Sequence, residues 1–257
     1  TTQGGSAAAS LADHKWRGGI LAADGRIYCA AWNAETVLCI DPAAGAAHCL
    51  GELPEGESKW AGAVLGRNEK IYCIPYDAPS VLCIDPVAQT VSSLGQFGEG
   101  RRKWRGGVLA GNGRIYCMPY NSLEVLCIDP EAGTASTFGM LGGIRCKWRG
   151  GVLAGDGKIY GMPDCADSVL CIDPVASSAT TFGSVGGSRW KWRGGVLAGD
   201  GKIYAVHYEF YGRVLRIDPE KHNDRAISYC TALSCGDVNL PGLVLDQDGE
   251  VHCVPLV

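Results

Sequence analysis

No stretch of this 257-residue chain approaches the roughly 18 to 20 consecutive apolar residues that a membrane-crossing helix needs. No window shows the apolar recurrence of an amphipathic helix, which excludes the helical repeat arrays. Positive charge is not in excess either: 23 Lys and Arg against 27 Asp and Glu leave a formal net charge of -4, so general affinity for nucleic acid is not expected. The start, Thr1-Thr2-Gln3-Gly4-Gly5, has no charged-then-apolar signal character and no initiator Met, and is expected to be a processed end. There is no Cys-x-x-Cys, and His14, His48, His207, His222 and His252 are dispersed, so no metal site is expected. Nucleophile elbow, phosphate-binding glycine loop and paired Cys and His are all missing. On those absences the protein is expected to use no cofactor and to catalyse nothing.

What is present is a period. Trp16, Trp60, Trp104, Trp148 and Trp192 fall 44 residues apart, and Lys15-Trp16-Arg17-Gly18-Gly19 returns around Trp104, Trp148 and Trp192, with Lys59-Trp60-Ala61-Gly62-Ala63 as the divergent copy. A repeat of that length belongs to a propeller or solenoid. In the third copy Gly106 to Ala110 and Arg114 to Pro119 flank a Gly-Asn-Gly turn, whose residues tolerate the positive φ of a tight hairpin. Val125 to Asp129 follows a polar loop and stops at Asp129-Pro130, where Pro ends a strand. Thr134 to Gly139 is short and polar, as an outer edge strand should be. Four antiparallel strands per copy make a blade, with the glycine-rich strand innermost and the Trp wedged between neighbouring blades.

The copies span about 15–58, 59–102, 103–146, 147–190 and 191–239. The last is lengthened by one residue near His207 to Tyr211. Residues 240–257 restate the first two strands of a sixth, and residues 1–14 stand where a closing strand is wanted. The expected fold is therefore a single all-β propeller of six blades, the sixth incomplete and closed by both termini. The alternative is five blades with a terminal hairpin. The pattern Gly-Val-x-x-Asp/Asn-Gly-x-Ile-Tyr, a loop, then Val-x-x-Ile-Asp resembles the blades of NHL-type, YncE-type and gluconolactonase-like six-bladed propellers, over essentially residues 15–257. That resemblance implies the fold. Its members range from RNA- and protein-binding platforms to metal-dependent lactonases.

In such a blade the loop before the first strand and the loop between the second and third open on one face. That face is expected to gather Lys15, Arg17, Lys59, Arg101, Arg102, Lys103, Arg105, Arg145, Lys147, Arg149, Arg189, Lys191 and Arg193, 13 of the 23 basic residues, around one mouth of the central channel. An anionic ligand, or a protein partner within a larger assembly, is the function they suggest. The competing reading makes the Lys and Arg beside each Trp structural. Asn239, Leu240 and Pro241 replace the triplet in the sixth copy, leaving the ring open there. A metal-dependent lactonase-like hydrolase and a carbohydrate-binding propeller are the alternatives. The five periodic tryptophans read as core, whereas Trp32 and Trp190 read as surface aromatics. The Asp of each Ile-Asp-Pro, Asp41, Asp85, Asp129, Asp173 and Asp218, reads as a turn cap.

Thirteen cysteines are many for this length. Cys29 with Cys39, Cys73 with Cys83 and Cys117 with Cys127 are expected on adjacent strands, and Cys230 with Cys235 across a short loop. If oxidised, they imply an extracellular or luminal compartment; if reduced, they pack as small apolar groups.

Overall fold

The computed structural model describes residues 14–208, 213–221, 224–231, 242–245 and 251–254. Five four-stranded antiparallel sheets follow one another along the chain, each in the simple order of its strands. The third is representative. Its inner strand Trp104–Leu109 pairs with Ile115–Pro119, then Val125–Asp129, then the outer strand Thr134–Phe138. A sixth sheet shows two strands, Gly242–Leu245 and Val251–Val254. The propeller is thus all-β and built of blades as the repeat predicts. The closing role of residues 1–13, the lengthened loop at 209–212 and the Asn239-Leu240-Pro241 gap lie outside the described residues. Among the described residues no helix is long and apolar enough to cross a membrane.

The core sits between blades. One apolar cluster joins the first and second sheets, and others join the second to the third, the third to the fourth and the fourth to the fifth. Trp60, Trp104, Trp148 and Trp192 are each at most 3% exposed within those clusters. A buried indole also needs a hydrogen-bond acceptor. Trp16, Trp60, Trp104 and Trp148 all donate Nε1–H to the carbonyl 20 residues on, at the start of their own third strand: Thr36, Ser80, Glu124 and Ser168, at 2.8, 3.0, 2.8 and 2.9 Å. The position that would receive the Trp192 indole falls in the undescribed loop. Inner strands meet at glycine: an ideal Cβ on Gly106 would fall 3.0 Å from the Gly150 Cα.

The cysteine pairing fails on register. Cys29 faces Leu38 while Cys39 faces Tyr28. The same offset recurs for Cys73 against Leu82 and Cys83 against Tyr72, and for Cys117 against Leu126 and Cys127 against Tyr116. Partners one residue out of step point to opposite faces of a sheet. All ten cysteines described with side chains are free, and most are buried, as small apolar filling. The side chains of Cys230, Cys235 and Cys253 lie outside the described residues.

At the face away from the Trp-bearing loops, the repeated aspartates cap turns as expected. Asp129 Oδ1 accepts the amides of Glu131 and Ala132, and its Oδ2 meets Arg114 Nε at 2.9 Å. Asp41 with Arg26, Asp85 with Lys70, Asp173 with Lys158 and Asp218 with Lys202 repeat the ion pair. Turn amides first, and the basic partner in addition, lower the carboxyl pKa of Asp41, Asp85, Asp129 and Asp173; Lys221 first brings Asp218 to about 2. A carboxyl depressed in the folded state contributes stability above its unfolded pKa, near 4, and loses it as pH falls through the folded value. Urea midpoints are therefore expected to drop between about pH 4 and pH 2. The Asp129→Asn variant should show a shallower drop, and an unchanged acid limb would remove this role from the turn.

Candidate anion-binding site at the channel mouth

A belt of backbone hydrogen bonds fixes the opposite face. The Lys15 carbonyl accepts the Trp32 amide, and the Trp32 carbonyl accepts the Lys59 amide. The pattern continues blade to blade through Tyr76, Lys103, Tyr120, Lys147, Asp164, Lys191 and Tyr208, with N···O distances of 2.7 to 3.0 Å. The loop before each inner strand is thereby tied to the loop between the second and third strands, both of its own blade and of the one before. That places the basic tryptophan loops on one face.

The belt also shows what the lysines do. Lys59, Lys103, Lys147 and Lys191 are at most 5% exposed, and their ammonium groups donate to loop carbonyls. Lys59 Nζ reaches Ala34 and Pro54, Lys103 Nζ reaches Asp77, Gly98 and Gly100, Lys147 Nζ reaches Ser122 and Ile144, and Lys191 Nζ reaches Ser188. Burial lowers the pKa of Lys147 to about 8 and shifts the others the same way. Of the expected anion surface, Lys103, Lys147 and Lys191 are therefore buried and turned to loop carbonyls, where an ammonium can place its donors. Lys15 is half-buried at the first link of the belt.

The arginines behave differently. Arg17, Arg105, Arg149 and Arg193 project from four different blades yet sit close enough to act on one another. Arg17 is lowered by burial first, then by Arg105, with a smaller push from Arg193. Burial first, then Arg105 and Arg193, brings Arg149 to about 10. Three of the four guanidinium groups lie on aromatic rings: Arg17 is 4.6 Å from the Trp32 centroid, Arg105 is 5.5 Å from both Tyr76 and Tyr120, and Arg193 stacks on Tyr208. Arg101, Arg102, Arg145 and Arg189 are exposed in the loops outside this inner set. Arg101 and Arg102 join Arg17, Trp32 and Tyr76 in lining a cavity of about 520 Å³, which Glu57, Asp77 and Glu99 also line.

The companion loops of this face, which mix aromatic and acidic residues in the sequence, hold a second periodic ring. Positions 32, 76, 120, 164 and 208, again 44 apart, hold Trp, Tyr, Tyr, Asp and Tyr. Trp32 and Tyr76 stand 5.3 Å apart and Tyr76 and Tyr120 6.0 Å, tilted on one another. Trp32 is half-buried, not the free surface aromatic expected, whereas Trp190 is 38% exposed. Two positions break the double ring. Ala61, which replaces the arginine in the second blade, is buried beneath Tyr76 and Tyr120. Asp164 replaces the aromatic in the fourth and is fully buried. Burial raises its carboxyl pKa, against Arg149, Arg193, the Tyr120 hydroxyl and Arg105, which lower it. The Tyr120 hydroxyl donates to Asp164 Oδ2 at 3.4 Å.

Among the described residues no three His, Cys, Asp or Glu gather as they would to hold a metal ion. No family model matches the chain, and no curated protein matches it in sequence. Solved structures do. A catalytically inactive virginiamycin B lyase from Staphylococcus aureus with quinupristin superposes with a TM-score of 0.72 at 13% identity, over 95% of this chain and 86% of that one. A streptogramin B lyase gives 0.75 at 14%, over 96% and 78%. Hydrazine synthase of Kuenenia stuttgartiensis gives 0.56 at 15%, over 74% and 54%.

What they share with this chain is the fold. The resemblance to NHL, YncE and gluconolactonase propellers is supported to that level and no finer. The neighbours do overturn one expectation. Lyases are enzymes, so the absence of a familiar local motif was no ground for expecting a protein without catalysis. Catalytic groups are recognised by geometry and role, and here separate blades deliver the groups of one mouth.

Proposed function

We propose that this propeller is a binding module for an anionic ligand, held at the mouth where Arg17, Arg105, Arg149 and Arg193 converge. One observation carries the reading: guanidinium groups from four blades converge, Arg17 and Arg149 being lowered by burial first and by Arg105 and Arg193 in addition, with the buried Asp164 carboxyl beside them. Around Arg149 the groups that act on it are two further arginines, one carboxyl and one tyrosine. A carboxylate or phosphate entering this cluster gains charge-assisted hydrogen bonds in a site partly shielded from water. The exposed Arg101, Arg102, Arg145 and Arg189 would extend the same attraction to an acidic segment of a partner or larger assembly.

A second reading adds chemistry to binding. Asp164 is a buried carboxyl with raised affinity for a proton, beside the place where the anion would sit, and such groups serve as acids or bases. On a fold shared with lyases, that supports a proton transfer on an anionic substrate.

Calorimetric titration with succinate at low and moderate ionic strength tests the binding. Saturable, salt-sensitive binding is expected, weakened about tenfold or more by Arg149→Gln or Arg193→Gln, because hydrogen bonds to a charged partner are among the stronger ones. Absence of binding, or identical binding by both variants, overturns the reading.

A further inference from the structure

We infer that the bound anion carries a hydrogen-bond donor next to its charged oxygens, as a hydroxy- or amino-carboxylate does, and that Asp164 is the residue that recognises this donor. The inference rests on the anion-binding reading above and names its ligand class.

The repeat itself isolates the residue. Scaffold needs account for the shared positions: the tryptophans fill the seams, the lysines satisfy loop carbonyls, and the aspartates before proline cap turns. Position 164 answers none of these needs. The four other described blades place Trp32, Tyr76, Tyr120 or Tyr208 there, so an aromatic ring suits the architecture. A carboxylate is a costly replacement at a fully buried position, since burial disfavours its charge.

Its hydrogen bonding is also incomplete. Oδ2 receives the Tyr120 hydroxyl, but Oδ1 is buried without any hydrogen-bond partner among the described residues. Arg105, Arg149 and Arg193 act on Asp164 through space, yet none of them forms an ion pair with it. The Nε of Arg193 is buried and has no hydrogen-bond partner among the described residues either. A buried acceptor and a buried donor therefore stand near one another, neither with a partner among the described residues and not joined to each other. Groups of this kind in a folded protein call for an explanation, and an absent ligand is one.

The complement to such a pair has two parts. Negative oxygens answer the arginines. A plain carboxylate offers no donor to Oδ1, and while Asp164 is ionised it meets like charge there. A hydroxyl or ammonium one carbon away turns that repulsion into a hydrogen bond to Oδ1. Sites that leave a polar group unpaired when the ligand lacks its counterpart discriminate strongly against that ligand.

Propionate, lactate and alanine share a three-carbon carboxylate skeleton and carry hydrogen, hydroxyl and ammonium at the second carbon. Titrating the intact protein with each at low ionic strength is expected to show lactate or alanine binding about tenfold more tightly than propionate. Asp164→Asn should narrow that gap while raising the thermal midpoint, because it removes a desolvated charge. Equal affinity for the three ligands on the unmodified protein overturns the inference while the anion reading stands, and this comparison needs no variant to fold. So does a variant that lowers the thermal midpoint and leaves the gap intact, which would make Asp164 a counter-charge of the scaffold. Binding of none of the three where succinate binds overturns the inference alone, and binding of neither succinate nor the three overturns the anion reading itself.

Discussion

Replacing Trp104 by Ala is expected to lower the unfolding free energy by about 3 to 5 kcal/mol, the range for emptying a large aromatic site in a core. The indole is 2% exposed between the second and third blades and packs edge-on against Phe97, centroids 5.2 Å apart. Truncation leaves a cavity on a seam and strips the Glu124 carbonyl of its 2.8 Å donor. Both losses fall on one interface, and in an array of like units stability resides largely in such neighbour terms. Urea unfolding followed by circular dichroism measures the change. Trp190→Ala is the comparison: that ring is 38% exposed, and its loss should cost under about 1 kcal/mol. Equal losses from the two variants would show that the periodic tryptophans are not the wedges described.

The architecture was legible because every blade repeats its instructions. The Asp-Gly and Asn-Gly turns, the Ile-Asp-Pro stops and the glycine-rich inner strands are local signals, and five copies average out the accidents of any one. Register was less legible. Cys29 and Cys39 look like partners by spacing, but the hairpin pairs Cys29 with Leu38, and a slip of one residue sends the two thiols to opposite faces. Side-chain destination was hidden for the same reason in the Lys-Trp-Arg triplet. Lys147 and Arg149 stand two apart with the same charge, yet one turns into the seam to meet Ser122 and Ile144 while the other stays at the mouth. The aromatic ring with Asp164 had a readable signal, the same 44-residue spacing. The loops around it vary, so they read as recognition loops that differ from blade to blade, while the single position within them keeps its register.

Gly106→Val is expected to disturb fold and mouth together. At φ +79° the backbone of Gly106 lies in the left-handed region, which costs a residue bearing a Cβ roughly 1 to 2 kcal/mol. The new Cβ would also fall 3.0 Å from the Gly150 Cα and 3.2 Å from its nitrogen. Backbone does not swing aside as a side-chain tip does, so the two inner strands must separate, and the total should reach about 3 kcal/mol or more. Each of these glycines follows a mouth arginine, Arg105 and Arg149. Parting the strands moves both guanidinium groups, so succinate affinity should fall even where the variant remains folded. Gly113→Ala is the control. Its φ is also strongly positive, +80°, but its Cβ would meet nothing nearer than the flexible Arg67 side chain at 3.8 Å. That change should cost about 1 kcal/mol and leave anion binding untouched. If both variants lose the same stability, backbone conformation alone explains the glycines. If Gly106→Val keeps full affinity, the arginine cluster does not depend on how closely the blades approach the axis.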